Sequence, residues 1–487
     1  GGYVWVDAHI LANPVSIDLD KDGLDDTLII PVSYYFDQWH YKAHPDLTAH
    51  LSPDFNLRNY VASAVVALDL KTRSVRWTQH LDLTTSKTEL KAMLYGAPTV
   101  ADIDMDGRLD ILIGSRLGYI YRLDASNGAL AKDFPLVMGD IQAPIAVGDV
   151  VESAENNNFE IIAADANGNI AAFTSSGWEI WSTVITGFAS QTPTLGDING
   201  DGRLDVVVGL ANSEYIFALD GTTGKVLENF PVRIGAKVIA PILLVDLQKA
   251  HRKDSPHSNG PGLHLVFPAF DGFLYAIDGR TGCADKIDIG GEESYSLVLA
   301  DDIFGHGKMD LLLATFQGSV ICLSTSQPYD SLSSTTTQYP RHGLVSRRDT
   351  IGFKLDETTK NLGIISGSEL TIGFEIIGKK VKKGDNYKVL VTLNGQNVAE
   401  RTYNDAGHYR VTIQAPAQPG DSRVVVTMIT PHGQAHKDEV IVHINTVAYR
   451  LVKWALCVPF VVASTLAVGL GPVDSSRTER LRLPRVG

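Results

Sequence analysis

Three short stretches of the chain place carboxylates at alternate positions, with a glycine at the sixth position and an apolar run directly afterwards. All three follow the pattern D-x-[DN]-x-D-G-x-x-D. Like charges this close repel one another, so the pattern predicts that a counter-ion holds them. The side chains at positions one, three, five and nine are Asp18, Asp20, Asp22 and Asp26 in the first stretch, Asp102, Asp104, Asp106 and Asp110 in the second, and Asp197, Asn199, Asp201 and Asp205 in the third.

A hard divalent cation fits this set of donors. Alternate side chains of a tight loop can aim their oxygens at one point, and the glycine permits the sharp turn. The seventh residue of each stretch, Leu24, Arg108 or Arg203, is expected to add a backbone carbonyl. An all-oxygen, negative cage suits Ca²⁺, which takes about six to eight oxygen ligands, whereas Zn²⁺ favours His and Cys. We therefore predict three Ca²⁺ sites.

The spacing separates these loops from the EF-hand. An EF-hand needs a glutamate at position twelve and a helix after it. Position twelve is Ile29, Ile113 or Val208 here, each within an apolar run typical of a strand. We interpret the ion as structural, because no catalytic constellation accompanies the loops; acidic turns without an ion are the alternative.

The three stretches belong to a longer repeat. Each copy opens on an aspartate and continues with segments that alternate apolar and polar residues and end in Gly turn signals. Repeats of about 48 residues with four strands each, and no long helical pattern between them, predict the blades of a β-propeller. The opening aspartates are spaced by 84, 47, 48, 49 and 56 residues and are Asp18, Asp102, Asp149, Asp197, Asp246 and Asp302.

Six blades are visible in residues 1–325, and we expect a seventh, either upstream of residue 1 or completed by residues 1–10. An insertion, 31–60, interrupts the first blade. The sixth copy of the loop is degraded, because Phe304 and His306 stand where carboxylates are expected and only Gly307 and Asp310 are kept. This copy is expected to bind calcium weakly or not at all.

A second domain is predicted after the propeller. Residues 326–350 are polar and rich in Ser and Thr, which indicates a linker. In residues 351–447, strand patterns alternate with turn sequences at regular intervals, as in a β-sandwich of immunoglobulin or fibronectin type. The Cys–Trp–Cys pattern of antibody domains is missing. The predicted fold class is therefore all-β.

The bulk composition is that of a folded, acidic protein. The 487 residues are 44% hydrophobic, and 42 basic against 56 acidic residues give a net charge of −14. This balance argues against nucleic acid as a partner. Three cysteines exclude a disulfide scaffold; Cys283 and Cys322 could pair in an oxidising compartment or stay free thiols.

Residues 451–471 are predicted to be a single transmembrane helix. The stretch WALCVPFVVASTLAVGLG, 454–471, carries no charge, and its length is at the lower edge for a membrane span. Four arginines lie in the tail, 472–487, which predicts a cytosolic tail and places the propeller on the extracellular or lumenal side of the plasma membrane or an endomembrane. A buried helix or a final strand is the alternative.

The loops also resemble a known repeat. PTVADIDMDGRLDILIG and PTLGDINGDGRLDVVVG are similar to the FG-GAP repeats of integrin α-subunit propellers, without the Phe-Gly half of that motif. The order of propeller, sandwich and C-terminal span, with the aromatic insert PVSYYFDQWHYKAH, resembles the plant defective-in-exine-formation family over about residues 1–470. That resemblance implies a calcium-binding, membrane-associated protein needed for primexine and pollen-wall patterning. It implies no catalytic residues.

We predict a non-enzymatic interaction protein whose partner is an extracellular or lumenal protein or a cell-wall polysaccharide. The insert is the candidate partner-binding surface, because long loops on a rigid scaffold often carry recognition. Its His40, His44 and His50 could form a transition-metal site, although a surface loop is favoured. The alternatives are a quinoprotein-type dehydrogenase, which ALDGTTG (218–224) and AIDGRTG (276–282) resemble, and a propeller carbohydrate-binding module.

Overall fold

The computed structural model describes residues 4–22, 24–49, 56–85, 87–151, 158–189, 191–247, 262–329, 344–345, 351–377, 385–416 and 418–469. Within these ranges the chain forms six small antiparallel sheets, then two sheets of a sandwich, then one long apolar helix. The prediction of an all-β chain with a β-propeller, a β-sandwich and a C-terminal apolar helix is confirmed.

The six sheets follow one another along the chain and are numbered here as blades 1 to 6. Blade 1 contains β1 (Val6–His9), β2 (Val15–Ile17), β3 (Thr27–Phe36), β4 (Val61–Asp69) and β5 (Val75–Leu83), and blade 2 contains β6 (Thr99–Ala101), β7 (Asp110–Gly114), β8 (Tyr119–Asp124) and β9 (Leu136–Val137). Blade 3 contains β10 (Ala146–Gly148), β11 (Glu160–Ala164), β12 (Asn169–Phe173) and β13 (Glu179–Val184).

Blades 4 to 6 repeat the same order of strands. Blade 4 contains β14 (Thr194–Gly196), β15 (Asp205–Gly209), β16 (Tyr215–Asp220) and β17 (Val232–Arg233), blade 5 contains β18 (Leu243–Val245), β19 (His264–Pro268), β20 (Phe273–Asp278) and β21 (Ala284–Asp288), and blade 6 contains β22 (Leu299–Asp301), β23 (Lys308–Ala314) and β24 (Val320–Pro328). The first strands of successive blades, from β6 through β10 and β14 to β18, lie side by side.

The core of the propeller lies between neighbouring blades. In β7 the side chains of Ile111 and Ile113 join the apolar cluster shared with blade 1, whereas Leu112 joins the cluster shared with blade 3. Successive side chains of a strand point to opposite faces, so a strand between two blades must be apolar at every position. This explains the uninterrupted apolar runs that follow the acidic loops.

Three segments differ from the sequence-based boundaries. Strand β1, within the residues considered for a seventh blade, pairs with β3 in blade 1. Strand β3 continues to Phe36 and pairs with β4, so the insertion proper is 37–60, with a short helix α1 (Gln38–Ala43) and two 3₁₀ turns (Pro45–Thr48 and Leu57–Asn59). Within the predicted linker, β25 (Leu344–Val345) pairs in parallel with β14.

The second domain is a sandwich of two sheets. One sheet contains β26 (Gly352–Leu355), β28 (Glu369–Ile377) and β31 (Gly407–Gln414), with the short helix α2 (Glu357–Lys360) following β26; the other contains β27 (Ile364–Ile365), β29 (Tyr387–Leu393), β30 (Gln396–Tyr403), β32 (Gly420–Ile429) and β33 (Ala435–Ile444). Side chains from both sheets, including Phe374 and Val426, form one buried cluster. The alternation of buried and exposed residues in these strands is typical of a sandwich.

One residue after β33 the chain enters α3 (Thr446–Gly469). Its segment Leu451–Gly469 is long and apolar enough to cross a membrane, and it is exposed throughout. The hydroxyls of Ser464 and Thr465 donate to helix carbonyls one turn back, which satisfies them in an apolar medium. The tail 472–487 lies outside the described residues. Cys283 and Cys322 are free thiols, and Cys283 is exposed.

Candidate metal centres

The three acidic stretches occupy equivalent places in their blades, where the first strand turns into the second. Loop 1 (18–26) joins β2 to β3, loop 2 (102–110) joins β6 to β7, and loop 3 (197–205) joins β14 to β15. The ninth residue of loops 2 and 3 is itself the first residue of a strand. The side chains of these residues therefore have fixed positions because the sheets hold their backbone.

The loops share one backbone conformation. The fourth residue has a positive φ in each, 61° at Lys21, 57° at Met105 and 82° at Gly200. The aspartate at position nine accepts the N–H of position two in every loop, at 3.3 Å in loop 1, 3.2 Å in loop 2 and 3.1 Å in loop 3. The carboxylate at position five accepts the N–H of position seven at 2.8 Å in all three. These bonds turn the alternate side chains towards one side of the loop.

In loop 1 the structure brings together Asp18, Asp20 and Asp22, with one oxygen from each within 4.8 Å of the others. Asp26 stands apart: its Oδ1 accepts a hydrogen bond from the hydroxyl of Thr27 at 2.6 Å, and its Oδ2 lies 3.6 Å from Arg76 Nη2. The Asp26 Oδ2 atom is buried without a hydrogen-bond partner. Position six, Gly23, lies outside the described residues.

In loop 2 the gathered residues are Asp102, Asp104 and Asp110. Asp106 instead receives the guanidinium of Arg108, at 2.8 Å from Nη2. Burial raises the pKa of Asp102, and burial raises the pKa of Asp110 to about 6 although Arg122 opposes that shift. Loop 2 thus concentrates negative charge in a place where burial penalises it.

Sequence analysis missed the cationic side chains beside the loops. Arg122, in β8, contacts Asp104 and Asp110 through Nη2 and donates from Nη1 to the carbonyl of Ser175 at 2.9 Å. Lys71 lies 3.4 Å from Asp20 in loop 1. One signal was available for Arg122, because the equivalent position holds a small residue in blades 3 to 6: Ala172, Ala218, Ala276 and Cys322.

Loop 3 does not bring three carboxylates as close together as loops 1 and 2 do. Its position three is Asn199, whose side-chain amide donates to Asp201 at 3.2 Å and whose carbonyl oxygen accepts the Asp201 N–H. Asp205 is 1% exposed. Burial, with the charges of Asp201 and Asp197, raises the pKa of Asp205 to about 8. An approaching cation would reverse this shift, because it favours the charged form.

The Asp205 carboxyl predicts a pH dependence of the calcium-free protein. Its pKa is about 8 in the folded protein, against an ordinary value of 3.8. Between about pH 4 and pH 8, therefore, the carboxyl keeps its proton in the folded state but has lost it in the unfolded state. This stabilisation is complete below about pH 4 and is lost as pH rises towards 8, by up to about 1.4 kcal/mol per pH unit. We expect Asp205→Asn to flatten the dependence of melting temperature on pH in a calcium chelator. A pH profile as steep as that of the wild type would contradict this prediction. The control is Asp285→Asn, which changes an exposed aspartate.

The donors present fit a hard cation in loops 1 and 2. In loop 2 a buried oxygen without a hydrogen-bond partner, Asp104 Oδ1, belongs to the gathered group, whereas in loop 1 the corresponding oxygen, Asp26 Oδ2, lies outside the gathered group and 3.6 Å from Arg76 Nη2. A buried carboxylate oxygen without a donor is costly, and a bound ion would satisfy it. The N–H groups of Leu24, Arg108 and Arg203 bind the carboxylate at position five, and that their carbonyls join the site stays a prediction.

The sandwich packs directly on loops 1 and 2. The backbone N–H of Asp102 donates to the carbonyl of His432 at 2.9 Å, and His432 Nδ1 lies 2.7 Å from the Asp102 carbonyl oxygen. The His432 ring is buried and stacks on Phe159, with centroids 3.7 Å apart. In loop 1 the carbonyl of Lys21 accepts a 2.6 Å hydrogen bond from Lys388. The loops therefore take part in the interface between the two domains.

The insert presents aromatic side chains to solvent. Trp39 is 83% exposed and Trp5 is 55% exposed. The imidazole of His40 stacks on Trp5 at 4.2 Å and on His44 at 4.5 Å between centroids. The favoured interpretation of the insert as a surface loop, and the alternative of a transition-metal site, both stay predictions. His50 lies outside the described residues.

These features define a β-propeller with acidic loops, a C-terminal β-sandwich and one candidate membrane span, which fits a single-pass membrane protein. Residues 352–445 match the model of the DEX1 β-sandwich family, so the sandwich is of the DEX1 type. No curated protein matches the chain.

Solved structures with similarity to the chain include BamB from Moraxella catarrhalis, at 14% identity and a TM-score of 0.37 over 89% of this chain and 97% of that one. BBS1N in complex with ARL6DN, soaked with lead, has 12% identity and a TM-score of 0.37 over 66% of this chain and 97% of that one. The same complex soaked with mercury has 11% identity and a TM-score of 0.35 over 64% of this chain and 90% of that one.

Proposed function

We propose that this chain is a calcium-stabilised, non-enzymatic interaction protein anchored in a membrane by α3. The observation that carries the proposal is the gathering of three carboxylates in each of two equivalent loops, and in loop 2 one oxygen of that group, Asp104 Oδ1, is buried without a hydrogen-bond partner. An oxygen-only cage of this charge is the kind that binds Ca²⁺. Loop 3 is included as a third calcium site on its sequence pattern and on the backbone hydrogen bonds that it shares with loops 1 and 2.

The ion is proposed to stabilise the fold, because the loops connect strands within a blade and two of them contact the second domain. Each joins the first two strands of a blade, and loops 1 and 2 also contact the sandwich. An ion in either loop would neutralise repulsion inside the turn and stiffen the backbone on which Lys388 and His432 rest. The groups present are carboxylates fixed by backbone hydrogen bonds, which suits ion binding rather than turnover of a substrate.

Calcium is expected to raise the melting temperature of the protein. A ligand that binds only the folded state stabilises it by RT ln(1 + [L]/Kd), or about 2.7 kcal/mol per site at one hundred times Kd. The measurement is a thermal melt in millimolar Ca²⁺, in millimolar Mg²⁺ and in a chelator. Asp104→Asn in loop 2 and Asp22→Asn in loop 1 should each reduce the calcium-dependent shift. Equal melting temperatures in calcium and chelator would refute the proposal.

The similarity to the DEX1 family supports a role in patterning of the primexine and pollen exine of plants. In that role the propeller would lie on the extracellular or lumenal side, with the arginine-rich tail in the cytosol. Its partner would be a lumenal or extracellular protein or a cell-wall polysaccharide. The net charge of −14 makes nucleic acid unsuitable as a partner.

The exposed aromatic surface of Trp5 and Trp39 is the proposed contact with a polysaccharide, because flat rings stack on sugar faces and exposed apolar groups mark binding sites. We expect plant cell-wall polysaccharides cast in a native gel to retard the protein. Trp39→Ser together with Trp5→Ser should abolish the retardation. Trp178→Ser, which removes a tryptophan 76% exposed in blade 3, is the matched control. Equal retardation of all three proteins would exclude this surface.

A further inference from the structure

The degraded loop of blade 6 keeps the backbone of the calcium loops. This segment, 302–310, is called here the His306 loop; it joins β22 to β23. Its fourth residue, Gly305, has a φ of 64°, and Asp310 Oδ2 accepts the N–H of Ile303 at 3.1 Å, as position nine does in the other loops. Asp302 accepts the N–H of His306 at 2.9 Å and that of Gly307 at 2.8 Å.

His306 takes the place of the carboxylate at position five. Its Nδ1 accepts the N–H of Lys308 at 3.2 Å, a bond that is 2.8 Å long where an aspartate stands in loops 1 to 3. The imidazole lies between two carboxylates: Nδ1 is 3.1 Å from Asp302 Oδ1, and Nε2 is 3.4 Å from Asp310 Oδ1. One ligand atom from each of the three residues lies within 4.8 Å of the others.

Asp310, the buried member of this group, has one carboxylate oxygen without a hydrogen-bond donor. The Asp310 side chain is 0% exposed, and its Oδ1, the oxygen that faces His306, has no hydrogen-bond donor. Its other oxygen is occupied by two backbone N–H groups, those of Ile303 and Phe304. A buried carboxylate oxygen without a donor costs free energy, so the loop is arranged for a cation at this point.

We propose that the His306 loop is a fourth metal site, and that it binds a divalent transition metal of the Zn²⁺ type instead of Ca²⁺. Position three is Phe304, which offers no ligand and is 65% exposed, so two carboxylates remain where Ca²⁺ needs about six to eight oxygens. Zn²⁺ takes imidazole nitrogen and carboxylate oxygen together and is satisfied by four ligands, of which water can be one. This site is independent of the calcium proposed for loops 1 to 3.

An ion on either ring nitrogen replaces the bond that Nδ1 now accepts from the N–H of Lys308, because that bond uses the only lone pair of Nδ1. With the metal on Nδ1, the ion takes the place of the Lys308 N–H, and the Nε2–H donates to Ser324 Oγ, which lies 3.0 Å away. With the metal on Nε2, the ring proton moves to Nδ1, which then faces Asp302 Oδ1 and no longer accepts from Lys308. A metal-bound histidine generally donates its second N–H to a neighbouring oxygen, which orients the ring. The competing interpretation is that a protonated imidazolium is itself the cation between the two carboxylates.

The test uses the untagged full chain in detergent, saturated with millimolar Ca²⁺ so that the calcium loops are filled. Zn²⁺ affinity is measured by competition with a chromogenic chelator, and Co²⁺ is added as a spectroscopic probe. We expect one equivalent of tightly bound Zn²⁺ and visible absorption bands of a nitrogen- and oxygen-ligated Co²⁺. His306→Ala should weaken Zn²⁺ binding at least about tenfold.

The matched control is His443→Ala, because His443 forms an exposed pair with Asp421, at 2.7 Å, of the same chemistry outside the loop. Phe304→Asp combined with His306→Asp restores the calcium pattern and should exchange the Zn²⁺ equivalent for an extra Ca²⁺ equivalent. Unchanged Zn²⁺ affinity in His306→Ala, no tight Zn²⁺ binding in the presence of millimolar Ca²⁺, or no Co²⁺ bands in the wild type would each overturn the site. The last result would favour the imidazolium.

Discussion

Replacing Arg122 by Met is expected to destabilise the calcium-free protein by about 3–5 kcal/mol and the calcium-bound protein much less. Arg122 is 8% exposed and contacts both Asp104 and Asp110. Removing one partner of a buried ion pair leaves an uncompensated charge, at a cost of about 3–5 kcal/mol. A Ca²⁺ ion in loop 2 would supply the missing positive charge. The measurement is the midpoint of denaturant unfolding in calcium and in chelator.

Arg233→Met is the control for loss of an arginine at the surface. Its partner is Glu214 at 3.0 Å, and both side chains are well exposed, so the expected cost is about 0–1 kcal/mol in either buffer. If Arg122→Met were equally destabilising with and without calcium, the guanidinium would be the permanent counter-ion of loop 2. That result would contradict the proposed calcium site in loop 2.

Gly168→Ala is expected to cost about 2–5 kcal/mol, whether or not calcium is present. Gly168 lies in the turn between β11 and β12 with a φ of +85°, and an added Cβ would stand 2.0 Å from the carbonyl oxygen of Ile185. The left-handed backbone costs an alanine about 1–2 kcal/mol, and the steric overlap adds about 1–3 kcal/mol. The same denaturant midpoint reports the loss.

Gly235→Ala separates the two contributions. Gly235 has a φ of +82° with no atom within 4 Å of an added Cβ, so the substitution should cost only the backbone term, about 1–2 kcal/mol. Equal effects at Gly168 and Gly235 would show that blade 3 accommodates the methyl group by moving the Ile185 strand end. The close approach of that carbonyl would then not be a structural requirement of the blade.

The loops were predictable from sequence because their geometry is local. Alternation of donors, the glycine at position six and the apolar run after position nine all lie within about a dozen residues. The same locality predicts that Asp110 and Asp205 begin strands, as they do. The fold class followed from the repeat spacing, since alternating segments at a period of about 48 residues leave few architectures.

The contacts that surround the loops were not predictable in this way. Arg122 contacts loop 2 because strand pairing places it opposite Leu112. The alternation of apolar and polar residues does not reveal that its long side chain extends to the carboxylates of the loop. His432 meets Asp102 from 330 residues away in the chain. The residue types of the His306 loop predict only weak calcium binding and do not reveal how much of the loop structure is kept. Its backbone and its buried Asp310 are kept although two side chains differ.

In the proposed membrane-anchored protein, the contact between the sandwich and loops 1 and 2 would also set how the propeller stands on the bilayer. One residue, Asn445, separates the last sandwich strand from α3. The sandwich would therefore connect the anchor to the blades, which contact it through the carbonyls of Lys21 and Asp102. A change in the shape of these two turns would then change the tilt of the propeller relative to the lipid surface.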